Sequence, residues 1–388
     1  MNFDNIEKDI IKWRRILHEN PELSFKEYKT TEFIKEKLLS FGNIEIIQPA
    51  ETGVIGRLKG DNTGKIIAFR ADIDALPLEE KTICDFRSKN KGVMHACGHD
   101  MHTAILLGFA RLLSENKHRL KGEVLFIFQR GEEMAPGGAA ELKRSGALDG
   151  VEMIFSLHVM PGEKTGRIGV KRGTATANKN TFDIYVKGKG GHSSMPQQVK
   201  DPILIGAEIV TNFQSVVARN VDPFNTAVIS TASFKSGEEY GVIPDTAHLT
   251  GAVRTFDEKT REIVISRMKL IVENILRAYE AEGEIKFFEN DYKAVYNDEK
   301  LCDIAEKAIT EKFGKGALVI KERPESFSED FSEYINPAKG CMVWLGTDKD
   351  GKENPKLHNP YFSPNEKAMI TGVKYFFGIA EEILMKNF

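Results

Sequence analysis

Glu123-Val124-Leu125-Phe126-Ile127-Phe128 is an apolar run that stops abruptly at Gln129-Arg130-Gly131-Glu132-Glu133. Five consecutive apolar residues, Val124 to Phe128, suit a central strand covered on both faces. The same pattern recurs on either side of it, at Lys65–Phe69 (KIIAF), Met153–Leu157 (MIFSL) and Met342–Leu345 (MVWL). Stretches with helical spacing lie between and around these runs, notably Thr103–Ser114 (TAILLGFARLLS) and Pro364–Met385. Ahead of them, Ile6, Ile10, Trp13 and Leu17 mark an amphipathic helix, with Asp4 as its expected N-cap and Pro21 beyond its end. Strands alternating with covering helices predict an α/β layered fold.

The middle of the chain follows another rhythm. Thr181–Lys187 (TFDIYVK) alternates like a half-exposed strand, residues 201–219 are helical in period, and Thr226–Phe234 and His248–Phe256 are strand-like. A long helix from Asp257 to about Ala281 and a strand at Glu284–Phe288 complete the order β-α-β-β-α-β. That order is ferredoxin-like and can close on itself. The expectation is a two-domain α/β protein: a discontinuous catalytic domain with a mixed sheet, from residues 1–178 and 291–388, and an inserted domain at 179–290.

Composition narrows the function classes. The 388 residues carry 54 Lys+Arg against 57 Asp+Glu, a net charge of −3, which gives no broad electrostatic case for nucleic acid or a membrane surface as partner. No apolar stretch approaches the ~18 residues of a membrane span. The N-terminal residues mix charges into apolar positions without a basic-then-apolar leader, so a cytoplasmic location is expected. Four cysteines, Cys84, Cys97, Cys302 and Cys341, do not make a disulfide framework.

Three polar clusters directly follow apolar strands: Arg70-Ala71-Asp72-Ile73-Asp74, Glu132-Glu133, and His158. Ligands of open α/β sheets bind at the carboxyl ends of strands, so the three clusters can share one crevice. The segment His95-Ala96-Cys97-Gly98-His99-Asp100-Met101-His102 precedes the Thr103 helix, where free N–H groups and the helix dipole favour anionic groups. Cys97, His99, Glu133 and His158 together offer thiolate, imidazole and carboxylate donors of the kind that hold Zn²⁺ or a similar divalent ion.

RADIDALP (70–77), HACGHDMHT (95–103), FQRGEE (128–133), SLHV (156–159), GGHSSMP (190–196) and LHNPYF (357–362), in this order, resemble the M20 metallopeptidase family, in its aminoacylase, hippurate hydrolase and auxin-conjugate amidohydrolase branch. The likeness runs from LHENPEL (17–23) to the C-terminal helix. It implies a two-metal site with Cys97, His99, Glu133, His158 and His358 as ligands, occupied by Zn²⁺ or Mn²⁺, with Co²⁺ or Ni²⁺ as alternatives. Glu132 is implied as general base and Asp74, in preference to Asp72, as the orienting carboxylate. The inserted domain is implied to serve as a dimerisation and lid domain, giving a homodimer or higher homo-oligomer in which His192 reaches the neighbouring subunit's site and supplies an oxyanion donor. Arg254 matches a position expected to hold the substrate carboxylate. Three departures from the branch pattern, Arg130-Gly131, Ser193-Ser194 and Gly241, border the expected pocket or interdomain strand and bear on substrate preference.

The implied activity is metal-dependent hydrolysis of N-acyl-L-amino acids to a carboxylate and a free amino acid. Dipeptidase or carboxypeptidase action and N-acetyldiaminopimelate deacetylation are the alternatives on the same site. A thiol hydrolase with Cys97 as nucleophile and a non-catalytic binding protein are the rivals from other classes. His95 is read as an outer partner of a ligand, and His18, His102, His118 and His248 as structural or solvated.

Overall fold

The computed structural model of the chain describes residues 3–288, 291–335, 338–349 and 354–385. It divides into two compact units, one of Met1–Ala175, Val295–Arg323 and Asp330–Phe388, the other of Thr176–Ala294 and Pro324–Glu329.

The larger unit is built on one mixed sheet of eight strands: β1 (Ile44–Ile47), β2 (Val54–Lys59), β3 (Asn62–Asp72), β4 (Lys121–Gln129), β5 (Met153–Lys164), β6 (Ile168–Val170), β11 (Leu318–Ile320) and β12 (Lys339–Asp348). Their order is β1-β2-β4-β3-β5-β12-β6-β11. The four apolar runs of the sequence occupy the centre as β4-β3-β5-β12, each parallel to its neighbours, with antiparallel β2 beside β4 and antiparallel β6 beside β12. Parallel registration puts Asp72 opposite Gln129 and Arg70 opposite Ser156, so the polar clusters after β3 and β4 leave the sheet at one end.

Helices α1 (Phe3–Glu19), α2 (Tyr28–Ser40), α3 (His99–Glu115), α6 (Glu299–Phe313) and α7 (Ala368–Ala380) also belong to this unit. Ile6, Ile10, Trp13 and Leu17 of α1 are buried as their spacing predicts, while Asp4 lies within the first turn of the helix. Helix α3 is apolar nearly all round because α1 and α7 pack on it along with the sheet. Phe69 of β3 anchors that layer, with ring centroids 4.6 Å from Phe109, 5.0 Å from Phe376 and 5.7 Å from Phe155.

The smaller unit contains β7 (Asn178–Lys187), α4 (Pro202–Arg219), β8 (Ala227–Lys235), β9 (Thr246–Thr255), α5 (Glu258–Ala278) and β10 (Glu282–Phe287). Its four-stranded sheet has the order β8-β9-β7-β10, antiparallel throughout. Asp201 and Asp257 cap the two helices, accepting from Ile203 N (2.8 Å) and Thr260 N (2.7 Å). Phe182, Ile184 and Val186 of β7 alternate into a core shared with Ile209, Phe213, Val264 and Met268. This unit also takes in Pro324–Glu329, which the sequence reading left in the catalytic domain. Ala177 N donates to Phe327 O at 2.9 Å, and Arg254 donates to Ser328 Oγ, contacts invisible to hydrophobic periodicity.

Candidate metal centre

Helix α3 begins at His99, four residues before the apolar period starts, so the His/Cys segment forms its entry turn and first residues. Gly98 precedes the helix at φ +86°, and a Cβ there would lie 2.4 Å from Val159 Cγ2. Only glycine lets this turn close on β5. The turn brings Cys97 Sγ to 3.4 Å from His158 Nε2. His158 lies within β5 and not at its end, because the strand continues to Lys164 alongside β12. It is the pairing with β3 that stops, at Ser156, two residues before it.

The hydrogen bonds of two imidazoles set which nitrogen carries the proton and which presents a lone pair. His99 Nδ1 faces only acceptors, Asp74 O at 2.9 Å and Asp74 Oδ1 at 3.2 Å, so this nitrogen carries the proton. Its Nε2 is buried and without a hydrogen-bond partner among the described residues, 3.8 Å from Glu133 Oε1. His158 Nδ1 donates to Val159 O at 2.7 Å, which leaves the Nε2 lone pair toward Cys97. Glu133 Oε1 is likewise buried and unbonded, although His358 Nε2 is 3.1 Å away. His358 is held at φ +61° while its own N–H donates to Ala96 O at 2.9 Å, next to Cys97.

Candidate ligand atoms of Cys97, His99 and His158 lie within 4.8 Å of one another, as do those of Cys97, Glu133 and His358, and of His99, Glu132 and Glu133. Converging donors of which His99 Nε2 and Glu133 Oε1 are buried without a hydrogen bond among the described residues fit a divalent cation, and the mixed sulfur, nitrogen and oxygen set fits a borderline ion such as Zn²⁺. The local charge points the same way. Burial alone would lower the pKa of His99, but Asp72, Asp74 and Glu133 raise it to about 10. Burial and the carboxylates of Glu133, Glu132 and Asp72 push the Cys97 thiol up, the opposite of what an activated thiolate nucleophile needs. A surplus of buried negative charge is what a cation offsets.

Beneath the ligands lies a buried ionic network. Arg70 donates to Asp72 Oδ2 (2.8 Å), to Asp330 Oδ1 (2.8 Å) and to Gln129 Oε1 (2.9 Å). Gln129 Nε2 and Ala139 N both donate to Asp330 Oδ2, at 2.6 and 3.1 Å. The other oxygen of Asp72 accepts from His102 Nδ1 at 2.6 Å, and His102 Nε2 accepts from Val159 N at 2.9 Å. Asp72, His99 and His102 also lie within ligand distance of each other, but both carboxylate oxygens and both His102 nitrogens are engaged, so this trio braces the site.

The model of peptidase family M20/M25/M40 matches residues 68–382. The chain belongs to this family. It is 45% identical over 294 residues to an N-acyl-L-amino acid amidohydrolase of Geobacillus stearothermophilus, covering 76% of this chain and 79% of that one. It is 39% identical to thermostable carboxypeptidase 2 of Saccharolobus solfataricus, covering 95% and 93%. Among solved structures, a dinuclear metal binding peptidase of the M20 family from Bacillus subtilis shares 37% identity with a TM-score of 0.85, over 98% of this chain and 99% of that one. The mixed α/β fold matches that neighbour, and M20 membership makes the protein a hydrolase of amide bonds.

Of the residues singled out in the M20 chain's sequence, Cys97, His99, Glu132, Glu133, His158, His358 and Asp74 meet in the larger unit. Asp74 touches both His99 and the backbone of Glu133, whose N–H donates to Asp74 Oδ2 at 3.0 Å. His192 and Arg254 belong to the smaller unit. His192 is exposed on a two-residue strand paired with Val242–Ile243, its Nδ1 accepting from Ser194 N at 3.2 Å. Burial lowers the pKa of Arg254 while Asp291 acts against that shift.

One reading changes. His95 is no outer partner of a ligand, since both its ring nitrogens lack hydrogen-bond partners among the described residues and burial pushes its pKa down to about 4. Of the two alternatives left for His102, structural or solvated, the structural one holds, because it is buried and ties Asp72 to the backbone beside His158. Its spacing from His99, one face lower on the same helix, was the available signal. Arg70 was noted only as part of a polar cluster, without a role, and Ser24, Glu27 and Asp330 were not singled out at all. Arg130, a departure from the branch pattern, is bound to Glu141 (2.6 Å) and lies over the Phe25 ring.

Removing one partner of a buried charge network strands the others. Arg70→Leu is expected to lower unfolding stability by about 3–5 kcal/mol in urea titration. Arg70→Lys should recover only part of this, because an ammonium lacks the planar fork that spans two carboxylates.

Proposed function

We propose that this M20 enzyme hydrolyses N-acyl-L-amino acids to a carboxylate and a free amino acid, with two divalent metal ions held by Cys97, His99, Glu133, His158 and His358. The observation that carries the reading is the convergence of five thiol, imidazole and carboxylate groups beside Glu132, two of them with buried, unbonded donor atoms. Bound divalent ions, Zn²⁺ or Mn²⁺ with Co²⁺ or Ni²⁺ as alternatives, supply Lewis acidity and bring the pKa of water toward neutrality. Glu132 accepts the proton of the attacking water and returns it to the departing amine nitrogen. Asp74 keeps His99 in one tautomer and anchors the Glu133 backbone. Arg254 pairs with the substrate carboxylate, and His192 donates to the developing oxyanion in the neighbouring subunit of a homodimer built through the smaller unit. The larger unit and the smaller one thus take the roles of catalytic domain and dimerisation and lid domain. The four cysteines are free thiols and no described helix is long and apolar enough to cross a membrane, which accords with work in the cytoplasm.

The likeness to an amidohydrolase and to a carboxypeptidase leaves a peptidase as the second reading of the same site. Metal-reconstituted enzyme is expected to show kcat/KM at least about tenfold higher on N-acetyl and N-benzoyl amino acids than on dipeptides, a margin of ~1.4 kcal/mol in transition-state binding. A reversed ranking establishes the peptidase instead, and a sole preference for N-acetyldiaminopimelate narrows the substrate to that one. Chelation should abolish turnover and added metal restore it.

Glu132 and Glu133 should separate cleanly. Glu132→Gln is expected to lower kcat by about 10² or more while keeping its metal, and Glu133→Gln to lose metal. The opposite pattern in metal analysis would exchange their roles.

The cross-subunit role of His192 is tested by mixing. His192→Ala and Glu132→Gln should each be nearly inactive, yet recover activity when subunits exchange, approaching about one working site per mixed dimer. No recovery, with mixed dimers confirmed by mass spectrometry, refutes that role.

A further inference from the structure

Glu27 precedes α2 at the place where a side chain usually caps the helix, yet it makes no capping bond. Glu22 does that work from upstream, accepting from Lys29 N at 3.2 Å, Thr30 N at 2.8 Å and Thr30 Oγ1 at 2.9 Å. Glu27 is thereby free to turn inward, and it is fully buried. Its Oε1 accepts from Gly131 N at 2.8 Å and Phe25 N at 2.9 Å, and its Oε2 accepts from Thr52 Oγ1 at 2.7 Å.

Gly131 is the residue immediately before Glu132. It sits at φ +62°, and a Cβ would lie 2.6–3.0 Å from the ring of Phe25, itself held at φ +65°. The same strap reaches the other acidic turn of the site. Ser24 Oγ donates to Asp74 Oδ2 at 2.7 Å, and Ala75 N donates to Glu22 O at 2.8 Å. Residues 22–27 therefore brace both carboxylate-bearing turns, from a part of the chain that precedes the matched family region at 68–382.

We infer that Glu27 is a positioning residue, which fixes the Glu132 carboxylate relative to the metal ligands by holding the Gly131 amide. The inference rests on the reading of Glu132 as general base. Misplacing a reacting group by ~1 Å can cost up to about 10² in rate, so a bond to the adjacent amide is enough to matter. Its length is the critical property. Aspartate retracts the acceptor by one methylene, whereas glutamine keeps an oxygen for Gly131 and Phe25 and turns its amide toward Thr52, whose hydroxyl can accept as well as donate.

The test compares Glu27→Asp, Glu27→Gln and Thr52→Val with the wild-type full chain, reading kcat, KM, bound metal and Tm. Thr52→Val removes the hydroxyl's bonds to Glu27 Oε2 and Arg130 Nη1 while leaving the Glu27 Oε1 bond to Gly131 N in place, and so reports the cost of instability without loss of that bond. Glu27→Asp is expected to lower kcat by about tenfold or more, with KM within about twofold and metal content unchanged. Glu27→Gln should restore most of that loss, and Thr52→Val should keep kcat within about twofold at a comparable drop in Tm. The inference is overturned if Glu27→Asp keeps wild-type kcat, if its loss follows lost metal, if Glu27→Gln fares no better, or if Thr52→Val loses as much. Glu132→Gln is assayed alongside. If that variant remains active, the base assignment fails; if it is inactive while Glu27→Asp turns over normally, only the role of Glu27 fails.

Discussion

The guanidinium of Arg70, shared between Asp72 and Asp330, is the interaction on which the centre of this enzyme depends. Asp72 ends β3, Asp330 arrives from the far end of the chain, and Gln129 ends β4; one side chain ties all three. Burial alone would raise the pKa of Asp72, but His99, His102 and Arg70 hold it well below the usual carboxylate range. An ionised Asp72 orients His102, and His102 holds the Val159 amide next to His158. Charge is thus placed in the interior only where further charge or a hydrogen bond answers it.

Much of this was legible in the sequence because both layers obey simple periods. The four apolar runs became the four central parallel strands, as short, nearly continuous apolar runs suit strands covered on both faces. The alternation of Thr181–Lys187 became β7 and its buried Phe182, Ile184 and Val186. Strand ends were less legible: His158 seemed terminal because apolarity lapses at that point, whereas its strand is extended by pairing with β12, a partner remote in sequence.

The ligand-type residues were readable from type and order, but the groups that brace them were not. Ser24, Glu27 and Asp330 lie far along the chain from the turns they support, and an isolated Ser, Glu or Asp resembles any surface residue until the fold closes. His102 was closer to hand, one helical turn below His99, yet helical spacing alone does not say which face is occupied. Arg130 shows another limit. It bordered the expected pocket in sequence, but its charge is committed to Glu141 and its plane to Phe25.

The placement of β12 carries a consequence for how the protein is made. This strand lies beside β5 in the middle of the larger sheet, yet the ribosome delivers it only after the whole of the smaller unit. A nascent chain that has just completed β10 already holds every strand and helix of the β-α-β-β-α-β unit, while the apolar edge of β5 still waits for its neighbour. At that stage Cys97, His99, Glu133 and His158 exist without His358 or the Asp330 brace. Biosynthesis therefore passes through a half-built sheet with an open hydrophobic flank, a species that depends on prompt elongation or chaperone cover to escape aggregation.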